Sequence, residues 1–266
     1  MARPSKIQRY SENYESDIVL EPGKELFDQI SGNWREKFFK NNNPITLELA
    51  CGKGEYTIGL ARKFPERNFI GVDMKGDRIW NGSQHAANES LHNVCFVRSR
   101  IEMLPKIFAP SEVNEIWLTF PDPRPKDRDE KRRLNNLFYL NMYRTLLDQD
   151  GWFRFKTDNT NLFEYGLTVI EELPTRDLEF TRDLYDSDLL GEHHGLLTKY
   201  EEIWTKKGEK IKYLKCRFDL KLSDEDSYII DNLNNYGLHA KCRITGSGSN
   251  KCRKARRTAK IRGKGR

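Results

Sequence analysis

With 266 residues, 37% of them hydrophobic and 32% charged, the chain is long enough to bury a core without disulfide staples, and no apolar run approaches membrane-spanning length, which argues against a transmembrane protein. Five cysteines, Cys51, Cys95, Cys216, Cys242 and Cys252, are odd in number and never spaced Cys-x-x-Cys, so neither a disulfide framework nor a zinc site is expected. The net charge of +6 is uneven: residues 241–266 hold eleven Lys and Arg and no acid, leaving 35 bases against 40 acids on residues 1–240.

A slightly acidic body with a basic, Gly-dotted tail reads as an arm for a polyanion attached to a domain with another task; a solvated, disordered end is the plainer alternative. The N-terminus runs from Met1-Ala2-Arg3-Pro4 into a polar stretch with no apolar core and no cleavage site, so no secretory signal is read and a cytoplasmic protein is expected. Residues 1–44 are taken as an N-terminal segment whose helix packs on the core, residues 45–222 as the main domain, and residues 223–266 as an extension ending in the basic tail.

Along the chain, strand and helix patterns alternate. Residues 45–50 form a β-rich run ending at Cys51-Gly52-Lys53-Gly54, followed by a helical pattern through Ile58, Leu60, Ala61 and Phe64. Strand 69–73, helix 76–90, strand 94–97 and a short helix at 101–108 come next. Strand 116–120 runs into Pro121-Asp122-Pro123-Arg124-Pro125, where three prolines forbid both ladder and helix and impose a stiff loop. Leu134, Leu137, Phe138, Met142 and Leu146 form a stripe at helical spacing that predicts a core-facing helix. Strand 151–156, helix 160–172, strand 177–183, helix 198–206 and strand 213–220 complete the series. Such alternation predicts parallel βαβ units with helices on both faces, and ligands then bind at the carboxyl ends of the strands. Glu48, Asp73, Asp122 and Asp158 all fall there; each could also be a helix cap.

The glycine loop discriminates among nucleotide ligands. A dinucleotide fingerprint wants a third glycine where Thr57 stands, and Glu48 would repel a pyrophosphate. S-adenosylmethionine carries a sulfonium and an ammonium, so a carboxylate beside Gly52 and Gly54 favours it. Asp73 suits the two ribose hydroxyls of either cofactor. Glu55 and Tyr56 replace the Lys and Ser/Thr of a phosphate-cradling loop, so an ATPase is not read. His193 and His194 lack neighbouring ligands, so no metal is expected. Beyond strand 116–120, Asp122 sits between prolines, followed by Lys126, Arg128, Lys131, Arg132 and Arg133; an acceptor flanked by phosphate-binding cations suits a nucleotide within a polynucleotide.

Together, Leu47-Glu48-Leu49-Ala50-Cys51-Gly52-Lys53-Gly54-Glu55, Phe120-Pro121-Asp122-Pro123 with Lys126 and Lys131-Arg132-Arg133-Leu134, Phe155-Lys156-Thr157-Asp158-Asn159, Thr198-Lys199-Tyr200-Glu201 and the entry segment Arg9-Tyr10-Ser11-Glu12-Asn13 resemble the bacterial-type tRNA (guanine-N7)-methyltransferase family over roughly residues 6–220. The resemblance implies a class I methyltransferase fold, a Rossmann-like α/β architecture with a mostly parallel sheet and an antiparallel last strand. It further implies methyl transfer from S-adenosyl-L-methionine to N7 of the guanosine at position 46 of the tRNA variable loop. It places Glu48, Gly52, Gly54, Asp73, Arg100 and Asp122 at the cofactor and Lys126, Asp158, Thr198 and Glu201 at the tRNA, with Asp122 the catalytic residue. Arg100 stands where the family carries an acid near the adenine, so its neighbours Ile101 and Glu102 share that expectation. Arg124 replaces a common Trp, Asp129 a frequent His, and Ala50 a usual Gly, the last a mild change where the backbone is extended. Three rival readings are an exocyclic-amine methyltransferase acting on another base, a non-catalytic RNA-binding module, and a dinucleotide-dependent oxidoreductase, which Glu48 and Thr57 disfavour.

Overall fold

The computed structural model describes residues 4–219. Its strands are β1 (Val19–Leu20), β2 (Ile45–Leu49), β3 (Asn68–Asp73), β4 (Val94–Arg98), β5 (Val113–Thr119), β6 (Leu147–Thr157), β7 (Thr175–Thr181) and β8 (Lys212–Phe218). The helices are α1 (Lys6–Glu15), α2 (Glu25–Gln29), α3 (Glu55–Lys63), α4 (Gly76–Asn88), α5 (Leu104–Ile107), α6 (Leu137–Leu146), α7 (Thr160–Glu171) and α8 (Lys199–Lys206). The extension from residue 223 and its basic tail lie outside the described residues.

The strands join in one sheet of order β1-β4-β3-β2-β5-β6-β8-β7. From β1 to β6 every pairing is parallel, whereas β8 enters between β6 and β7 and runs antiparallel to both. The mostly parallel sheet with its inverted last strand is therefore as expected. Strands covered on both faces carry apolar side chains on both. Ile70, Ile116, Phe153 and Phe155 pack with α5–α7, while Phe69, Phe96 and Trp117 pack with Tyr56, Ile58 and Leu60 of α3. The chain builds β2, β3 and β4 outward in one direction and then returns to place β5 on the other side of β2, so the topology switches at the β2/β5 boundary. A crevice at the carboxyl ends of the strands follows from that reversal.

Periodicity misplaced some boundaries. Residues 127–132 form 3-10 turns and α6 starts only at Leu137, held by the Asn136 side chain accepting from the Tyr139 amide. Leu137 is exposed, because at the first helical position its side chain leans back past the helix end; Tyr139, Leu140 and Tyr143 share the buried face with Met142 and Leu146 instead. Among the first 44 residues, α1 is capped by a reciprocal Ser5/Gln8 pair, and the Asn13 amide donates to the Gly76 carbonyl at 2.7 Å where α4 begins. A π-helical turn at Trp34–Phe39 stacks Trp34 on Phe108 with ring centroids 5.2 Å apart. No described helix is long and apolar enough to cross a membrane.

Candidate active site

After β2 the chain reverses through Ala50, Gly52 and Gly54, all left-handed, with φ of 55°, 59° and 72°. Gly54 precedes α3, and a Cβ there would overlap the Phe96 ring. At Gly52 a Cβ would project into open space, so the loop presents bare backbone on that side. Ala50 corrects the expectation of an extended backbone: it occupies the left-handed region that L-residues avoid, a conformation that glycine adopts without strain.

Glu48 lies beneath this loop and is 3% exposed. One carboxylate oxygen accepts from the Thr57 amide at 2.8 Å and from the Thr57 hydroxyl, the other from the Thr119 hydroxyl at 2.7 Å. Thr57, the residue that breaks the dinucleotide fingerprint, is thus the main partner of Glu48. Burial pushes the carboxyl up to about 7, against the pull of the Thr57 and Thr119 hydrogen bonds and of Lys156. Asp73 closes β3 and ties two segments together: one oxygen accepts from the Gly52 amide at 3.1 Å and the other from the Lys75 amide at 2.8 Å. A carboxylate offers about four lone-pair sites, so each oxygen keeps capacity for a ligand hydroxyl. Arg100, two residues past β4, is 70% exposed in its side chain and 3.6 Å from Glu102; Glu102 also accepts from the Tyr139 hydroxyl at 2.9 Å. Ile101 is buried.

Past β5, the backbone is left-handed at Phe120 and again at Arg124, with φ of 45° and 47°. Two bulky residues in that region within five positions mark a loop held in shape by its surroundings. The Phe120 amide donates to the Lys156 carbonyl at 2.8 Å, and the two flanking prolines restrict what remains. Asp122 therefore stands at the loop tip, its side chain 81% exposed and paired with Arg124 at 2.9 Å. Lys126 is exposed just before the 3-10 turns, together with Arg128, Lys131 and Arg132. Arg133 folds back, donating to the Arg124 carbonyl at 3.1 Å and covering the Tyr165 ring.

The opposite wall comes from β6 and α8. Asp158 follows β6; its carboxylate accepts from the Tyr200 hydroxyl at 3.2 Å and its carbonyl from Lys212 at 2.8 Å. Thr198 caps α8, its hydroxyl accepting from the Glu201 amide at 3.1 Å. Glu201 faces inward and is wholly buried, with one oxygen accepting from Lys156 at 2.9 Å and the other from the Tyr185 hydroxyl at 3.1 Å, with His193 3.3 Å away. Burial raises the Glu201 carboxyl, but His193 and Lys156 outweigh it and hold the group below its usual range; burial lowers the Lys156 ammonium. Asp122 and Asp158 thus face the mouth of the crevice, while Glu48 and Glu201 secure the walls from within.

The residues not assigned from sequence belong to this inner layer. Arg154 and Lys156 lie two apart on β6 and share one face of the sheet. Arg154 pairs with Glu115 and Glu192 and covers the Trp117 ring at 5.1 Å; Lys156 lies over the Tyr56 and Phe120 rings at 4.7 and 5.4 Å. The alternation Trp152-Phe153-Arg154-Phe155-Lys156 carries the signal: two cations in a covered strand require buried carboxylates opposite. His193 is occupied by Tyr185 and Glu201, and His194 packs edge-on to Phe64. Among the described residues, no group of three or more His, Cys, Asp or Glu is placed to hold a metal.

The chain is similar to known proteins over most of its length. Residues 42–214 match the family model described as "Putative methyltransferase". A tRNA (guanine-N(7)-)-methyltransferase of Cytophaga hutchinsonii is 45% identical over 82% of this chain and 99% of its own length. Its counterparts in Christiangramia forsetii and Bacteroides fragilis are 42% and 41% identical, over 82% and 79% of this chain and 99% and 84% of theirs. Among solved structures, the 16S rRNA methyltransferase KamB superposes with a TM-score of 0.53 at 15% identity, covering 71% of this chain and 94% of its own. An antibiotic-related methyltransferase gives a TM-score of 0.52 at 16% identity, over 70% and 92% of the two chains; these two share the fold. Identity above 40% along nearly the whole of two relatives, with the family model spanning residues 42–214, makes this chain a member of the tRNA (guanine-N7)-methyltransferase family.

Proposed function

We propose that this chain transfers the methyl group of S-adenosyl-L-methionine to N7 of a guanosine in tRNA, at position 46 of the variable loop, forming 7-methylguanosine. The observation that carries the reading is the juxtaposition at the switch point of the sheet: a bare-backbone loop at Gly52, the Asp73 carboxylate with acceptor capacity to spare, and an acid-tipped loop at Asp122. The residues fit the methyl donor. Gly52 and Gly54 leave room for close backbone approach, Asp73 receives the ribose hydroxyls, Arg100 and its neighbours flank the adenine, and Glu48 supplies negative potential from below the loop. The donor contributes an electrophilic methyl on a sulfonium.

Guanine N7 already exposes a lone pair, so no residue has to remove a proton before attack. The protein's part is to hold nucleophile and carbon in line and to stabilise the positive charge arriving on the purine. Asp122 does this by accepting from the N1 and N2 hydrogens, which become more acidic as N7 is methylated; the approaching base takes the place of Arg124 at its carboxylate. Asp158 faces the same space from the other wall. Lys126 binds a backbone phosphate, and Thr198 and Glu201 set the α8 wall against the substrate.

The test is transfer of labelled methyl to unmodified bulk tRNA, followed by digestion and identification of the labelled nucleoside. Labelled 7-methylguanosine, reduced about 100-fold or more in kcat for Asp122→Asn on saturating tRNA, is the expected result. Label in another nucleoside would move the chemistry to an exocyclic amine, and an undiminished Asp122→Asn rate would remove the charge argument.

A further inference from the structure

Helix α8 turns an unusual face outward. Glu201 and Thr205 point in, Glu201 to Lys156 and Thr205 to the Glu201 carbonyl. The stripe at positions 200, 203, 204 and 207 is Tyr-Ile-Trp-Lys, with Tyr200 44% and Ile203 52% exposed, where a solvent-facing stripe of a short helix is ordinarily polar. The charged pair Glu202–Lys206 lies beside it. The aromatic stripe continues into the crevice. The Tyr200 ring lies 5.3 Å from Phe120, two residues before Asp122, and its hydroxyl is fixed on Asp158. The half-buried Trp204 ring follows, its centroid 6.0 Å from that of Tyr200, with the Lys207 ammonium over it at 4.3 Å. Rings this close, inclined at 55° and 51°, leave no slot between them for a planar group, so a base is received only on an outward face, and at Trp204 it has to displace the Lys207 ammonium from the ring.

We propose that α8 carries a base-stacking strip for the RNA: Tyr200 receives the face of the target guanine, and Trp204 receives the neighbouring unpaired base. The proposal rests on the tRNA methyltransferase reading and extends it to how the nucleotide is presented. Every base has a π-face, so stacking supplies affinity and orientation without reading sequence. It also holds the purine flat while carboxylates on the Asp122 and Asp158 walls meet its edge. Charge complementarity runs along the same path. Lys207, displaced from the Trp204 ring by the second base, would remain beside it to meet its phosphate. At the start of α8 a cleft of about 370 Å³ is lined by Lys53, Lys199 and His85 along with Asn81 and Arg62; Arg62 is already paired with Glu89 and Glu55 accepts from the Lys199 amide at 2.7 Å, so Lys53 and Lys199 are the cations it offers.

Two measurements on the full-length chain decide the matter. In the first, unmodified tRNA is titrated without methyl donor and tryptophan fluorescence is followed in wild type and Trp204→Phe; a saturable quench present in wild type and lost in the variant is expected. In the second, kinetics are compared for Tyr200→Phe, Tyr200→Leu, Trp204→Phe and Trp204→Leu. Stacking on a base typically carries about a 10- to 100-fold effect. Trp204→Leu should therefore raise KM for tRNA about 10-fold with kcat nearly unchanged, and Tyr200→Leu should lower kcat/KM by up to about 100-fold, whereas Trp204→Phe stays near wild type and Tyr200→Phe, which loses the hydroxyl on Asp158 but keeps the ring, retains about 10-fold more kcat/KM than Tyr200→Leu. Binding of S-adenosylmethionine, measured by calorimetry, should be the same in all four and certifies the fold. Leucine serving as well as phenylalanine, or a quench unaltered in Trp204→Phe, would overturn the strip. If the wild-type chain forms no 7-methylguanosine, the enzyme reading fails, and the donor-free quench still decides the strip.

Discussion

Glu48 makes the most exacting prediction, because its cost and its purpose can be separated by pH. Its carboxyl is held at about 7 by burial, against about 4.5 for an exposed glutamate, so between these values the folded chain keeps a proton that the unfolded chain has released. The sign follows: stability falls as pH rises through that window, the penalty being absent below the unfolded value and complete above about 7. A shift of this size corresponds to about 3 kcal/mol at pH 8, of which about 2–3 kcal/mol develops between pH 5 and pH 8. Glu48→Gln removes the titration while keeping an acceptor for Thr57, and the hydroxyl of Thr119, which donates to Glu48, turns to accept from the new amide instead. The assay is urea unfolding of wild type and variant at matched pH values from 5 to 8. The other titrating groups cancel in the difference, and any fixed packing change shifts it by a constant. Relative to wild type, the variant should gain about 2–3 kcal/mol across the range; a difference that stays flat refutes the buried, proton-retaining carboxylate. A purely structural Glu48 would be improved by this change at no loss, whereas a Glu48 that favours a cationic donor should show weaker S-adenosylmethionine binding in the variant at pH 8.

The remaining predictions concern the inner layer, the loop and the cations. Glu201→Ala leaves the wholly buried Lys156 without its carboxylate and should cost about 3–5 kcal/mol in denaturant unfolding; combining it with Lys156→Met should recover most of that. Ala50→Gly relieves a left-handed alanine and should stabilise the chain by about 0.5–1 kcal/mol, seen as a raised midpoint at unchanged slope. Lys126→Ala should raise KM for tRNA more than it lowers kcat, and should reduce the slope of log affinity against log salt by about one. Removing residues 241–266, with eleven cations, should leave S-adenosylmethionine binding intact and weaken tRNA binding at low salt; unchanged affinity would make the tail a bystander.

The alternation of strands and helices was readable because a parallel sheet favours apolar runs, which β3, β4 and β5 supply, whereas β2 alternates Ile-Thr-Leu-Glu-Leu and is buried throughout. The inverted β8 came from resemblance, since no local pattern distinguishes an antiparallel insertion from another parallel strand. Short elements escaped for a physical reason: the two residues of β1 and the π-helical turn at Trp34 owe their form to tertiary partners, Val97 and Phe96 in one case and Phe108 in the other, and carry no period of their own. Asp73 and Asp122 were legible because they stand where strands end. What residue type could not disclose was direction. Glu48 and Glu201 read as ligand-facing carboxylates, yet each has both oxygens engaged by protein donors inside the fold.

That inward turn explains how the crevice can present an exposed acid, Asp122, and a half-buried one, Asp158, on rigid supports. Asp122 and Asp158 can face the crevice because the elements that bear them are fixed from behind: Phe120 by the Lys156 carbonyl, Lys156 by Glu201, and Glu201 by the helix whose Tyr200 reaches back to Asp158. The chain of contacts closes on itself, so loss of Glu201 should loosen both walls although it carries no charge to the surface. A site whose chemistry is positioning rather than proton transfer has most need of such a frame. Its cations, Arg154 and Lys156, lie on the same strand face two residues apart, so one strand of the sheet locks the floor of the crevice while its end supplies Asp158 to the mouth.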